Sequence, residues 1–246
     1  VLHDLPGVGE NLQDHLQIRT IYKVSNTVTL NQRYNSLVGK AVMGLEYLLF
    51  KKGPLTMPPS QLGAFARSDP DQPSANMEWH VQPLSLDKFG DPLHTFNAIT
   101  PSVCNLRPTS RGHVRIRDNA AATDPAITLN YLSTPEDQGV AVAGLKFTRR
   151  IMAADALAPF EPKEWLPGPK VATDDDMEKA AGDLGTTIFH PVGTCKMGND
   201  PMAVVDHHLK VHGVDRLRVI DASIMPTITS GNTNAPTVMI AEKGAR

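Results

Sequence analysis

Cysteine is scarce in this chain. Its 246 residues include two, Cys104 and Cys195, too few for a disulfide framework and spaced unlike any zinc motif. A reducing compartment is therefore the expectation. Charge of one sign is also missing. With 24 basic and 26 acidic residues the formal net charge is −2, which leaves no basic stripe for a nucleic acid. No apolar run reaches transmembrane length, and the first residues form no basic-then-apolar leader. Internal repeats and low-complexity tracts are absent. The chain opens mid-pattern at Val1-Leu2-His3-Asp4 without an initiator Met, and Ala241 to Arg246 stops inside a helix-like stretch. That reads as a piece excised from a longer protein.

What is present suits a folded domain. Hydrophobic residues make up 41% of the chain and charged residues 20%, enough apolar material for a sizeable core. Leu16 to Val24 alternates apolar and polar residues, the mark of a half-buried strand. Further strands are expected over Gln61 to Arg67, Met77 to Leu84, Thr95 to Leu106, His113 to Arg117 and Ile127 to Leu132. Short links containing Asp69-Pro70, Gly90-Asp91-Pro92 and Ser110-Arg111-Gly112 separate several of them. Strands in succession argue for an antiparallel sheet.

Three helices are expected. Leu37 to Phe50 has helical apolar spacing and stops at Lys51-Lys52-Gly53-Pro54, followed by a loop at Met57-Pro58-Pro59-Ser60. Thr134-Pro135-Glu136-Asp137 has a Thr cap, Pro at the first position and acids in the first turn. Thr173-Asp174-Asp175-Asp176 is a second capped start, for a helix running to about Leu184. Pro159 to Pro169 reads as a Pro-rich connection. The fold class is α+β, an antiparallel sheet of about five or six strands with helices on one face.

The chemistry concentrates in the last quarter, His190 to Arg246, which is dense in Gly, Pro, Asn and His. Such residues gather where a backbone turns tightly and presents polar side chains. His190 is followed by Gly193, Thr194 and Gly198, so the backbone is shaped around an imidazole whose reference pKa of ~6.5 suits a general base. Asn232 can donate and accept without titrating, so it could hold an alcohol oxygen without competing for its proton. Spacing alone does not bring the two together. Asp206, His207, His208 and His212 fit no standard ligand pattern, and no metal is expected. Cys195 has no feature that marks a nucleophile. Met57 and Trp79 read as core or pocket lining. Pro6 to His15 is a Gly-rich turn without the third glycine of a phosphate-binding loop.

Together His190 to Gly198, Val219 to Pro226 and Gly231 to Lys243 resemble the C-terminal motifs of the glucose–methanol–choline (GMC) oxidoreductases, flavoenzymes that oxidise alcohols. Pro6 to His15 and Ser110 to Val114 resemble two internal motifs of the same family. The resemblance covers essentially the whole chain and points to the bacterial choline dehydrogenase and alcohol dehydrogenase branch.

The resemblance implies that His190 accepts the substrate hydroxyl proton, that Asn232 bonds the same oxygen, and that the hydride goes to FAD. It implies that Asp221, Ala222, Asn234 and Thr237 lie against the flavin. Segment 1–15 would belong to the edge of the flavin domain, 16–189 to the substrate-binding domain, and 190–246 to the active-site segment and part of the flavin domain. The family's N-terminal strand–GxGxxG–helix unit, which clamps the pyrophosphate, is missing from this sequence, so this polypeptide alone is expected not to bind FAD or to turn over. Choline-specific members resemble one another in carrying a Glu where Gln61 stands here. Gln61 offers neither charge nor π face to a quaternary ammonium, which favours a neutral primary alcohol, with Glu46 and Glu78 as alternative carboxylates. A quinone-type electron acceptor and a cytoplasmic location follow from the branch, peripheral attachment to the inner membrane being left open. A cofactor-free binding or interaction module and a His-dependent metalloenzyme are the rival readings.

Overall fold

The computed structural model describes residues 3–58 and 60–246. Val1 and Leu2, at the head of the expected 1–15 segment, and Pro59, within the expected 57–60 loop, lie outside them.

In chain order the strands are β1 (Leu16–Arg19), β2 (Ile21–Lys23), β3 (Leu62–Ala66), β4 (Met77–Gln82), β5 (Ala98–Asn105), β6 (His113–Arg115), β7 (Ala126–Thr128), β8 (Lys163–Leu166) and β9 (Gly185–Thr187). The α-helices are α1 (Leu30–Asn35), α2 (Leu37–Phe50), α3 (Pro135–Met152), α4 (Asp174–Leu184) and α5 (Asn234–Gly244). The chain divides into two compact units. The first holds Val1–Leu16, Asn105–Gly139 and Thr187–Arg246, and the second holds Gln17–Cys104 and Val140–Thr186.

The second unit is built on the sheet β3-β4-β5-β1-β9, with β2 joining β5 to β8. The pairs of known register are antiparallel. β1 sets Ile18 opposite Val103, and β2 sets Tyr22 opposite Ile99 on the same strand. The expected strand 16–24 is thus two strands, broken at Thr20, whose hydroxyl donates to the Pro101 carbonyl instead of extending one ladder. Period 2 puts Met77, Trp79 and Val103 on one face, and this face carries α3. At Gly144 the helix comes so close that an added Cβ would stand 3.1 Å from both Val103 methyls.

Trp79 is buried and donates its indole N–H to Thr148 Oγ1 at 2.8 Å. That hydroxyl in turn donates to the Gly144 carbonyl. Replacing Thr148 by Val keeps the shape and strands the indole donor. The expected loss of stability is about 1–3 kcal/mol, measured as a lower urea midpoint at unchanged slope.

The expected helices stand where their signals put them. Ser36 caps α2 by accepting from the Gly39 N–H. Thr173 and Asp176 form a capping box at α4. One expectation about α2, that its lysines sit in the last turn, needs correction. Its chain reversal is made by Lys51 in the left-handed region, φ 52°, so the two lysines follow the last turn and do not belong to it. Its apolar residues stay largely outside, with Met43 the buried one. Met57 is also exposed, whereas Trp79 is core.

The strand inventory is corrected as well. β8 lies inside the stretch read as a Pro-rich connection, and β9 carried no strand signal because it is a three-residue continuation of α4. β6 and β7 pair with each other in a separate two-stranded sheet, His113 opposite Thr128. Among the described residues no helix is long and apolar enough to cross a membrane.

The first unit packs its apolar side chains around Val192, Val204, Val205, Leu209, Ile224, Met225, Ile228 and Ile240. Hydrogen bonds between three distant stretches hold this core together. Gln13 and Val192 exchange both backbone bonds. Cys195 N–H donates to the Ser223 carbonyl at 2.9 Å, and Met197 N–H to the Ile224 carbonyl at 2.7 Å. The Gln13 side chain donates to the Pro226 carbonyl and accepts from the Ile228 N–H. Gly193 sits at φ +95°, where a Cβ would collide with the Asn11 backbone, which is why this crossing carries a glycine.

Candidate active site

The site grows out of that weave, wholly within the first unit. Gln13, Asp14 and His15 precede β1 and are 2%, 3% and 0% exposed. Buried polar groups must find partners, and each of these does. Asp14 accepts from the Tyr131 hydroxyl in a short bond, from Thr187 Oγ1 at 2.5 Å and from the His190 backbone N–H at 2.9 Å. Burial, reinforced by Asp14, pushes the Tyr131 phenol far above its ordinary range, so it stays a donor. Phe189, immediately before His190, sits at φ 65°, a region that non-glycine residues seldom occupy. Its N–H donates to Thr187 Oγ1. Asp14 and Thr187 therefore hold the backbone on both sides of a strained residue and fix the direction of the His190 ring.

His190 is 8% exposed. Its Nδ1 lies 3.0 Å from Nδ1 of His15, with the two rings edge to face at 88°. Nε2 of His15 lies 3.2 Å from the Leu106 carbonyl oxygen. On the other side of the ring, Nε2 of His190 lies 3.4 Å from Nδ2 of Asn232. The two residues singled out in the sequence are thus brought together across 42 positions. Burial pushes the His190 imidazole below its ordinary value of 6.5, an effect that the nearby Asp14 carboxylate partly opposes. The ring is neutral at pH 7, the form a general base requires, and it has a polar amide at its outer nitrogen.

The other expected positions fall as follows. Asp221 caps the 3-10 turn Ala222–Ile224, accepting from the Ser223 N–H and hydroxyl, and is exposed. The Ala222 carbonyl accepts from the Gly193 N–H at 3.4 Å. Asn234 opens α5 and is exposed, while Thr237 turns its hydroxyl back to the Thr233 carbonyl. The cap position Thr233 makes no side-chain bond to α5, so the helix presents uncapped N–H groups and its positive end beside Asn232. Gln61 belongs to the second unit, just ahead of β3, where it is exposed and its N–H donates to the Val81 carbonyl.

Cys195 is half-buried, and burial pushes its thiol up, away from nucleophile behaviour. His212 is tied to the Gly198 carbonyl at 3.0 Å, while His207 and His208 face each other with ring centroids 4.0 Å apart. Among the described residues one trio, Glu78, His80 and Cys104 of the second unit, sets possible ligand atoms within 4.8 Å of one another. Asp14, His15, Tyr131 and Thr187 were not singled out in the sequence. The one available signal was three consecutive polar residues, 13–15, leading directly into an apolar strand.

A family model described as GMC oxidoreductase matches residues 108–241, more than half of the chain. The chain belongs to the GMC oxidoreductase family. This GMC chain is 40% identical over all of its 246 residues to an alcohol dehydrogenase [acceptor] of Pseudomonas putida, of which it covers 44%. It is 40% identical over 245 residues to an oxygen-dependent choline dehydrogenase of Pseudomonas fluorescens, covering 43%. It therefore spans less than half the length of these curated relatives. Among solved structures it is similar to pyridoxine 4-oxidase from Mesorbium loti, with TM-score 0.81 and 31% identity over all of this chain and 44% of that one. A formate oxidase of Aspergillus oryzae RIB40 superposes with TM-score 0.91 at 22% identity, over all of this chain and 48% of that one, a likeness of fold.

Proposed function

We propose that the protein carrying this chain oxidises a primary alcohol to an aldehyde with FAD as the hydride acceptor. The observation that carries the reading is the pairing of a buried, neutral His190 with Asn232 at 3.4 Å. A substrate hydroxyl entering between Nε2 of His190 and the Asn232 amide would give its proton to the imidazole while the amide holds the oxygen. Loss of that proton makes departure of a hydride from the adjacent carbon favourable. Desolvation helps, since it keeps His190 unprotonated at neutral pH.

The residues present suit a flavin. The uncapped N-terminus of α5, at Asn234 and Ala235, offers N–H groups and positive potential to an electron-rich carbonyl edge. Asp221 and Ala222 would lie along the ribityl and pyrophosphate side, with Asn234 and Thr237 beside the ring. When bound, FAD supplies the two-electron acceptor that no side chain of this chain can provide. In this reading, segments 1–15 and 190–246 belong to the flavin side and 16–189 to the substrate side, except that 105–139 and 187–189 pack in the first unit with the terminal segments.

A neutral primary alcohol is the substrate class that the identity of Gln61 favours over choline. Gln61 carries no charge. Burial pushes the Glu78 carboxyl up, and its Oε1 is 3.3 Å from His80 Nε2. Glu46 pairs with Arg33 at 3.6 Å. None of the three offers a ready anion to a quaternary ammonium. Electrons would pass to a separate acceptor, as the name of the P. putida relative suggests, and the dehydrogenase branch favours one of the quinone type. The two free thiols suit a cytoplasmic location.

The test is anaerobic mixing of the flavin-loaded holoenzyme with a panel of uncharged primary alcohols and choline. Loss of flavin absorbance near ~450 nm is expected with the uncharged alcohols. No bleaching with any alcohol would refute the activity, and bleaching by choline alone would refute the substrate preference.

A further inference from the structure

We infer that His15 is a positioning residue that fixes the tautomer of His190, so that the lone pair of His190 is at Nε2 beside Asn232. The inference rests on the reading of His190 as the base and extends it to a residue with no assigned role.

The derivation starts from the far end of the chain of contacts. A backbone carbonyl oxygen can only accept, so the Leu106 oxygen, 3.2 Å away, calls for a proton on Nε2 of His15. His15 is 0% exposed, and burial of a charged imidazole is costly. It is therefore neutral, with one N–H, and its Nδ1 is a bare acceptor. That Nδ1 faces Nδ1 of His190 at 3.0 Å, so His190 must donate from Nδ1. A neutral His190 then has no proton left for Nε2. The amide nitrogen of Asn232, a donor, lies 3.4 Å from that same Nε2 and agrees independently with a lone pair there.

Isolated imidazoles carry no such instruction, and the opposite tautomer would turn Nε2 into a donor unable to take a hydroxyl proton. The arrangement resembles in logic the carboxylate–histidine pairs that orient catalytic imidazoles, with a neutral imidazole as the orienting acceptor. When Nε2 takes the substrate proton, the Nδ1–H bond to His15 is kept and no second proton moves. The groups facing His190 are the His15 ring, the Asn232 amide and the Asp14 carboxylate, which accepts from the His190 backbone N–H and from Tyr131 and Thr187.

Long-range ¹⁵N–¹H spectra of the histidine-labelled protein at neutral pH read both rings directly. His190 is expected protonated at Nδ1 and His15 at Nε2. A neutral His190 protonated at Nε2 would overturn the inference without any variant being made. His15→Phe removes the acceptor. His190 is then expected to populate the Nε2–H form, and kcat of the holoenzyme to fall about tenfold or more with bound flavin retained, a smaller loss than the roughly 10²–10⁴-fold of removing a general base outright. His15→Gln restores an acceptor oxygen and an N–H for Leu106, and should restore both tautomer and kcat. Equal activity and an unchanged pH profile in His15→Phe would also overturn it. The two readings fail separately. A holoenzyme that oxidises no alcohol but shows the expected tautomers refutes the function alone, whereas alcohol oxidation with the wrong tautomer refutes only the role of His15.

Discussion

Replacing His190 by Ala is expected to slow alcohol-dependent flavin reduction in the holoenzyme by about 10²–10⁴-fold, the usual span for a positioned general base. Flavin absorbance near ~450 nm should persist, because the His190 side chain bonds His15 and Asn232 and its backbone is held by Asp14. The pH profile sharpens the result. Neutral imidazole is the active form, and burial lowers its pKa below the ordinary 6.5. The acid limb of kcat/KM should therefore fall away only below pH 6.5, and the limb should vanish in the variant. Full activity in His190→Ala, or an acid limb that survives unchanged, would remove His190 from the mechanism.

The second large effect concerns folding. Asp14→Ala should destabilise the protein by about 3–5 kcal/mol, since it leaves one buried and two half-buried donors without an acceptor. The donors are the Tyr131 hydroxyl, the Thr187 hydroxyl and the His190 N–H. Chemical denaturation of the protein measures this. Asp14→Asn keeps one acceptor oxygen and should lose markedly less. The carboxylate also opposes the lowering of the His190 pKa, so in Asp14→Asn the acid limb of activity should move to lower pH still. Two variants of equal stability to wild type would mean that the Asp14 network contributes nothing.

Local signals carried much of this fold and less of its assembly. Thr173 with Asp176, Thr134 with Pro135, and Ser36 ahead of Leu37 are short-range devices, and each begins a helix where the sequence places one. Pairing is not short-range. β6 reads as one more strand of the main sheet, yet nothing in His113 to Arg115 reveals that its partner is β7. β8, four residues among prolines, looks like a connection until Tyr22 and Glu164 face each other. The site divides in the same way. His190 and Asn232 stand out by residue type and by family motif. Asp14 and His15 do not, because a polar residue just before a strand ordinarily faces water. Their partners are Leu106, Tyr131, Thr187 and His190, which no sequence window spans.

The weave that holds His190 has a consequence for biosynthesis. His15 meets a partner 175 positions later, Asn11 bonds the Pro226 carbonyl across 215, and Ile228 closes on Gln13 across the same distance. Contacts so remote in sequence carry the full loop-closure cost before they are rewarded. On the ribosome, residues 11–15 must wait, with their polar groups still in water, until residues 190–228 emerge. Nascent chains stalled before residue 228 should leave the 13–15 backbone open to amide exchange, and chains extended well beyond residue 228 should close it.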